Sequence, residues 1–263
     1  MDMVKGIIDS HAHVCGKDLF PRWEQVIRDA KNVGVEKILI ICTETEEAKR
    51  AVSIAEKDLM FDVACGFYPN DILKVTDKDW QELEKLVRHP AVKAVGEIGM
   101  DYFPYETVVP AGLQKEAFIR QMQLAEQVKK PIAVHMRLAT EDTRTYMRQY
   151  LKTGGIMHCY SGGYTAMQDF LDMGMYISFS GNITFELDDL ETQKAVKEVP
   201  LDRILVETDA PSLTPAPVQN RQNEPQYVRY VIDHICRLRG ISPEELVKAV
   251  GENYRRLFQE TEA

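Results

Sequence analysis

The chain has 263 residues, of which 44% are hydrophobic and 28% charged, a composition typical of a cytosolic globular protein. Its 41 acidic and 32 basic residues give a net charge of −9, which argues against a broad basic surface for nucleic acid but leaves room for a small local one. The first residues lack the basic flank and long apolar core of a signal peptide, and no window approaches the roughly 18 uninterrupted apolar residues of a membrane span. We therefore expect a cytoplasmic protein with no membrane partner and no obligate protein partner.

The five cysteines are odd in number, widely spread and without a C-x-x-C pair. Two of them, Cys42 and Cys65, lie within apolar segments, which is typical of small buried hydrophobic residues. A disulfide framework is not expected, in agreement with a reducing compartment.

Short apolar runs alternate with amphipathic segments along the chain, and each run is rich in β-branched residues and bounded by Gly, Pro, Asn or Asp. This pattern predicts buried strands separated by helices. Eight such units match a (β/α)8 barrel, the TIM barrel, with few insertions. The alternative is an open doubly wound sheet, which would normally carry a Gly-rich turn after its first strand, where this chain has two histidines. The eight runs begin at Gly6, Glu36, Met60, Ala91, Pro131, Gly154, Met175 and Arg203.

After the eighth run, the Pro-rich stretch "PSLTPAPVQNRQNEP" is too polar for a regular element. Two helices are predicted beyond it, near residues 224–239 and 243–259. The sequence contains no internal repeat and no linker. We expect a single barrel domain over residues 1–263 with C-terminal helices.

The first run, "GIIDSHAHV", contains Asp9, His11 and His13 at every second position. Alternation places all three side chains on one face of a strand. Because strands of a parallel sheet are normally apolar on both faces, three polar groups there need a partner, and a metal ion is the obvious candidate.

Four other runs also carry an ionisable residue at their C-terminal ends: Glu97, His135, His158 and Asp209. In a barrel these ends meet at one rim, where active sites are built. With His11 and His13 they offer four imidazoles and two carboxylates, a set that suits divalent Zn, Mn, Fe or Ni. Six ligands exceed what one tetrahedral ion uses, so we expect two metal ions that share a carboxylate, with a water between them whose pKa they lower. Ligand chemistry leaves open whether Glu97 or Asp209 is shared.

Two more carboxylates, Asp9 and Glu207, precede His11 and Asp209 by two positions on the same strand faces. Either they orient metal-bound histidines or they form a buried ion pair inside the barrel. By contrast, His89 and His234 lie in helical segments away from the strand ends, and we predict structural roles for both.

With these residues assembled, the chain resembles the TatD family of metal-dependent deoxyribonucleases, which belongs to the amidohydrolase-like barrels. The resemblance extends in order from about Asp9 to Pro225, and eight ordered motifs are far more specific than a lone H-x-H. The motifs are "DSHAH" at 9–13, "GEIGMDY" at 96–102, the helix residues Gln114, Phe118, Gln121, Leu124 and Ala125, "HMRLA" at 135–139, "HCYSGG" at 158–163, "SFSGNITF" at 178–185, "ETDAPSLTP" at 207–215 and "NEP" at 223–225.

The resemblance implies a complete ligand set. One metal would be bound by His11, His13, Glu97 and Asp209, and the second by His135 and His158 with Glu97 as the shared ligand. Asp209 would also be the general base that takes a proton from the attacking water. The ions could be Zn, Mn, Mg, Ni or Fe.

The resemblance also implies DNA as the substrate, cleaved from a free 3′ end on single strands or frayed ends. Arg137 and Arg221 are candidate phosphate contacts. One stretch departs from the family: where relatives have an Arg-Gly-Lys-Arg run before "NEP", residues 219–222 read Gln-Asn-Arg-Gln. The loss of basic residues keeps open a second hypothesis, hydrolysis of a small ester, lactone, amide or phosphoester. A barrel that only binds a ligand is a third, which the intact ligand set disfavours.

Overall fold

A computed structural model describes residues 4–106, 108–185 and 190–259. Eight parallel strands form one sheet in which each strand pairs with the next along the chain. The strands are Ile7–Ala12 (β1), Val35–Cys42 (β2), Phe61–Cys65 (β3), Val92–Asp101 (β4), Ile132–Arg137 (β5), Gly155–Met157 (β6), Met175–Phe179 (β7) and Ile204–Val206 (β8).

Helices connect consecutive strands and surround the sheet, and two more follow the last strand. They are Trp23–Asn32 (α1), Thr45–Ala55 (α2), Asp77–Leu86 (α3), Ala111–Val128 (α4), Thr140–Tyr150 (α5), Gly163–Asp172 (α6), Leu190–Glu198 (α7), Val228–Arg239 (α8) and Pro243–Phe258 (α9). The two predicted C-terminal helices are present as α8 and α9. The first begins at Val228 rather than near residue 224, because Pro225–Tyr227 forms a short 3₁₀ turn.

The first and last strands close the sheet into a barrel. The segment after β8 pairs with β1 through a parallel bridge between Ala12 and Ala210. Two backbone hydrogen bonds support it: the His13 amide donates to the Ala210 carbonyl over 2.8 Å, and the Asp209 amide donates to the His11 carbonyl over 2.9 Å. The predicted (β/α)8 barrel is confirmed, and the open doubly wound sheet is wrong because that sheet would leave these two edges apart.

Burial on both faces of the strands accounts for their apolar sequences. On β2, the four consecutive residues from Ile38 to Ile41 are fully buried, as expected where one face meets the helices and the other the barrel interior. Strand β1 is also buried throughout, including Asp9 and His11. Within the described ranges, no helix is long and apolar enough to cross a membrane.

The last helix is fixed to the start of β8 by one buried side chain. The Asn253 amide nitrogen donates to the carbonyl oxygens of Leu201 at 2.9 Å and Ile204 at 2.8 Å. Asn253 itself is almost fully buried. The amide therefore satisfies backbone carbonyls at the end of the barrel opposite to the strand C-termini.

Replacing Asn253 by Leu should lower the free energy of unfolding by about 1–3 kcal/mol, because buried carbonyl groups lose a donor. Chemical denaturation measures the change. The exposed Lys248→Ala variant on the same helix is the control and should change stability by less than about 0.5 kcal/mol. Equal stability of Asn253→Leu and the wild type would contradict this role.

Candidate metal centre

The six residues predicted as metal ligands converge at the C-terminal ends of the strands. Five of them line a cavity of about 510 Å³ at the barrel mouth, and His11 lies beneath it, fully buried. His158 follows directly on β6, and Asp209 lies three residues past the end of β8. The five that line the cavity are His13, Glu97, His135, His158 and Asp209.

Donor atoms of His11, His13 and Glu97 form a compact group on one side of this cavity, and an oxygen of Asp209 lies beside the two imidazoles. The Nε2 atoms of His11 and His13 are 3.3 Å apart. Glu97 Oε2 lies 3.5 Å from each of them, and Asp209 Oδ1 lies 3.6 Å from His11 Nε2 and 3.5 Å from His13 Nε2. Metal–ligand bonds of about 2.0–2.1 Å in a tetrahedral site place donor atoms about 3.3–3.4 Å apart. These spacings fit a divalent transition metal ion.

The other oxygen of Glu97 faces a second pair of histidines. Glu97 Oε1 lies 2.9 Å from His135 Nδ1 and 3.4 Å from His158 Nε2. The two imidazole pairs are adjacent, since the rings of His11 and His158 stack at 3.7 Å between centroids. Glu97 is thus positioned between two donor groups, an arrangement that fits a shared carboxylate ligand.

Two glycines of β4 allow Glu97 to approach β5. A Cβ atom on Gly96 would lie 2.6 Å from the Cβ of Ala133. Gly99 has φ +144°, and a Cβ there would lie 1.9 Å from the carbonyl oxygen of His135. Only glycine fits this close contact, which pairs Gly99 with His135, while Glu97 lies at the register shift between Gly96 and Ile98.

Electrostatics keep the carboxyl groups of the cluster ionised. Burial raises the pKa of Glu97, but the neighbouring imidazoles, His158 first, outweigh it and bring this pKa well below its usual range. The pKa of Asp209 is lowered for the same reason. Burial lowers the pKa of His158, but Glu207, Glu97 and Asp209 outweigh it and raise this pKa well above the ordinary value. Both carboxyl groups are in the anionic form that binds metal ions.

Glu207 and Asp9 make different contacts around this cluster. Glu207 Oε1 lies 2.7 Å from His158 Nδ1 and accepts a 2.8 Å hydrogen bond from the Cys159 amide. It thereby holds the imidazole so that Nε2 faces Glu97. This is the arrangement expected of a carboxylate that orients a metal-bound histidine.

Asp9 instead bonds to backbone amides and a hydroxyl group. Its Oδ1 accepts from the amides of Thr208 at 2.9 Å and His11 at 3.3 Å, and its Oδ2 accepts from Thr208 Oγ1 at 2.6 Å. Burial raises the pKa of Asp9 to about 7. Asp9 therefore fixes the backbone of β1 to the segment after β8, and these contacts resemble neither an imidazole contact nor an ion pair.

The two candidate phosphate contacts lie in different places. Arg137 lines the cavity beside the cluster. Arg221 is not among the described residues that line the cavity, and its side chain is exposed. In the same loop, Gln222 Oε1 accepts a 2.7 Å hydrogen bond from Arg22.

Sequence analysis assigned no role to one buried carboxylate near the cluster, Asp101. Asp101, the last residue of β4, has its Oδ2 atom 3.1 Å from His135 Nε2 and accepts a 2.7 Å hydrogen bond from the Tyr68 hydroxyl. The available signal was the position of Asp101 at the end of a strand, inside the "GEIGMDY" motif. His89, by contrast, pairs with Glu56 on the outside of the barrel.

The fold and the donor group at its mouth define a metal-dependent hydrolase. The family model described as TatD related DNase matches residues 8–259, and the chain belongs to this family. The chain is 36% identical over 255 residues to the uncharacterized metal-dependent hydrolase YabD of Bacillus subtilis, covering 96% of this chain and 99% of that protein.

Two further comparisons agree. A protein of a Rahnella strain named 3′-5′ ssDNA/RNA exonuclease TatD is 30% identical, with 89% of this chain and 91% of that protein covered. The crystal structure of YjjV, a TatD homologue from Escherichia coli, superimposes with a TM-score of 0.90 at 27% identity, covering 97% of this chain and 99% of that chain.

The geometry of Glu97 leads to a prediction about metal content. We predict that each donor group binds one ion, so that His135→Ala should remove one ion and leave the other, because only the Oε1 side loses a ligand. Glu97→Ala should lower the content of both ions, because each donor group loses an oxygen. Inductively coupled plasma mass spectrometry after dialysis measures the stoichiometry.

The matched control is His234→Ala, which removes an imidazole on α8 that is not among the residues lining the cavity. It should bind as much metal as the wild type. Loss of both ions in His135→Ala, with one retained in Glu97→Ala, would contradict the shared position of Glu97.

Proposed function

We propose that this chain is a two-metal exonuclease that hydrolyses phosphodiester bonds from the 3′ end of single-stranded or frayed DNA. The observation that carries the proposal is the position of Glu97, whose two oxygens face separate histidine pairs at the base of an open cavity. The name of the Rahnella relative, an exonuclease on single-stranded DNA and RNA, supports the substrate class. We assign the activity to one domain over residues 1–263.

The donor group fits two divalent ions, with Zn, Mn, Mg, Ni and Fe as the candidates. His11, His13 and Asp209 would hold one ion, and His135 and His158 the other, with Glu97 shared between them. Bound there, two such ions would lower the pKa of a water held between them and stabilise negative charge on a phosphate.

The protein groups then have separate tasks. Asp209 directs Oδ1 at the donor group, which leaves its second oxygen, Oδ2, to accept the proton of the attacking water as general base. Its lowered pKa keeps it unprotonated before that step. Glu97 holds the two donor groups at a fixed separation. Arg137 binds a phosphate oxygen at the cleaved bond. Arg221 lies outside the cavity lining, so it contacts phosphates of the DNA strand that are farther from that bond.

The dimensions of the mouth favour a single strand. A cavity of about 510 Å³ lies in the range of pockets for small organic ligands, so it can admit a strand end but not a duplex. His11 at its base is fully buried, and a phosphate must therefore enter the barrel mouth to reach it. Unpaired 3′ ends meet this requirement.

One observation favours a second substrate class, a small ester, lactone, amide or phosphoester. Among the described residues that line the cavity, Arg137 is the only lysine or arginine. A long polyanion generally binds several basic groups, whereas one cation is sufficient for a small ester. The same donor group would serve either reaction.

A 5′-labelled single-stranded oligonucleotide distinguishes these substrates. Wild-type protein with added Mg²⁺, Mn²⁺ or Zn²⁺ should produce a ladder that shortens from the 3′ end. Asp209→Asn should reduce the rate by at least about 100-fold, since the acceptor of the water proton is removed.

Asp71→Asn is the matched control, because Asp71 faces the same cavity but its carboxylate pairs with Lys74 at 2.6 Å. This variant should still produce the ladder. An intact oligonucleotide with every metal, in wild-type protein that holds two ions per chain, would exclude the nuclease. The rates on an ester, lactone and amide panel would then decide the substrate class.

A further inference from the structure

Arg137 is held at the cavity mouth by aromatic residues rather than by a carboxylate. Its guanidinium carbon lies 3.8 Å from the centroid of the Phe103 ring, and its Nη1 donates a 2.8 Å hydrogen bond to the Tyr105 hydroxyl. Among the described residues, no ion pair joins Arg137 to an acidic side chain, although the chain has 41 of them. A pre-oriented arginine with remaining donors is suited to a planar or tetrahedral anion.

The hydroxyl of Tyr105 connects Arg137 to a buried carboxylate. This hydroxyl accepts a hydrogen bond from Arg137 and donates its single proton to Asp101 Oδ2 over 3.1 Å. The order of donors therefore runs from Arg137 through Tyr105 to Asp101. The same Oδ2 atom lies 3.1 Å from Nε2 of His135. One oxygen atom therefore contacts both the arginine support and a histidine of the donor group.

Asp101 is itself fixed by its backbone and its second oxygen. Its amide donates to Gln114 Oε1 over 2.8 Å, and its carbonyl accepts from Gln114 Nε2 over 2.8 Å. Its Oδ1 accepts a 2.8 Å hydrogen bond from the amide of Phe103, the residue whose ring lies under Arg137. With 1% of its surface exposed, Asp101 cannot adopt another orientation without breaking these contacts.

We propose that Asp101 is a positioning residue with two contacts. It orients His135 at the metal centre, and it orients the Tyr105–Arg137 pair, which binds phosphate at the mouth and is called the phosphate clamp here. The clamp rests on the proposed function, since its ligand is the phosphate group of the substrate. Through His135, Asp101 directs Nδ1 at Glu97; through Tyr105, it directs the guanidinium over the cavity. The two contacts fix the distance between the phosphate and the donor group.

The first test isolates the clamp. Binding of inorganic phosphate to Mn²⁺-loaded protein is measured by isothermal titration calorimetry in the wild type and in Tyr105→Phe. Loss of the hydroxyl should raise the phosphate Kd about fivefold, the effect of one hydrogen bond, and leave the Mn²⁺ Kd unchanged. Tyr102→Phe is the matched control, because its hydroxyl in the same loop donates to Asp142 and not to Arg137.

A double-mutant cycle separates positioning from a general loss of structure. Arg137→Ala should weaken phosphate binding more than Tyr105→Phe does, and adding Tyr105→Phe to Arg137→Ala should have no further effect. If Tyr105→Phe still weakens phosphate binding in the Arg137→Ala background, the hydroxyl does not act through the arginine and the clamp is wrong.

The second test concerns Asp101→Asn, with Mn²⁺ and phosphate affinities both measured. We expect the Mn²⁺ Kd to rise about 10- to 100-fold at one of the two sites, because outer carboxylates of metal-bound histidines have effects of this size. The phosphate Kd should rise as well. Unchanged Mn²⁺ affinity in a folded Asp101→Asn protein would overturn the coupling. If that variant does not fold, Asp101→Glu takes its place, because it keeps the charge but displaces Oδ2, and an unchanged Mn²⁺ affinity in it would overturn the coupling in the same way.

These measurements do not depend on turnover of DNA. If the oligonucleotide stays intact while Tyr105→Phe and Asp101→Asn change the affinities as expected, the proposed substrate fails and the positioning role of Asp101 holds. If the oligonucleotide is degraded but neither variant changes any affinity, the nuclease holds and Asp101 has no such role.

Discussion

The carboxylate of Glu97 is the constraint on which the rest of the site depends. It is almost fully buried, and its two oxygens lie within 3.5 Å of imidazole nitrogens on β1, just after β1, on β5 and just after β6. A buried anion of this kind is costly unless cationic or metal partners surround it. The four histidines must therefore come from three different strands to the same point, and a closed barrel is the architecture that brings them there.

Closure of the barrel and assembly of the donor group use the same stretches of backbone. The amide of Asp209 bonds to the carbonyl of His11, and the amide of His13 bonds to the carbonyl of Ala210. Asp9 adds hydrogen bonds to Thr208 across the same junction. Because the closing hydrogen bonds involve the candidate ligand residues themselves, the distance between His13 and Asp209 is fixed by the fold and not by a flexible loop.

Beyond the donor group, the supporting contacts differ in kind. Glu207 reaches an imidazole directly, whereas Asp9 reaches the backbone of two strands. Asp101 contacts His135 on one side and Tyr105 on the other, so that the histidine and the arginine at the mouth share one anchor. In a family whose members bind metal in a similar barrel, such contacts outside the donor group can adapt the mouth to a substrate without changing the metal chemistry.

The sequence by itself determined the barrel, the family and the six residues that meet at its mouth. Strand periodicity and the ends of apolar runs are local features, and the C-terminal ends of parallel strands share one rim whatever the details of packing. Only the tertiary structure decided which atoms face each other: the division of the Glu97 oxygens, the backbone role of Asp9, the position of Asp101 and the distance of Arg221 from the cavity lining. These depend on strand register, on close contacts such as that of Gly99 with β5, and on side-chain rotamers. They are set by residues far apart in the chain, and no local pattern encodes them.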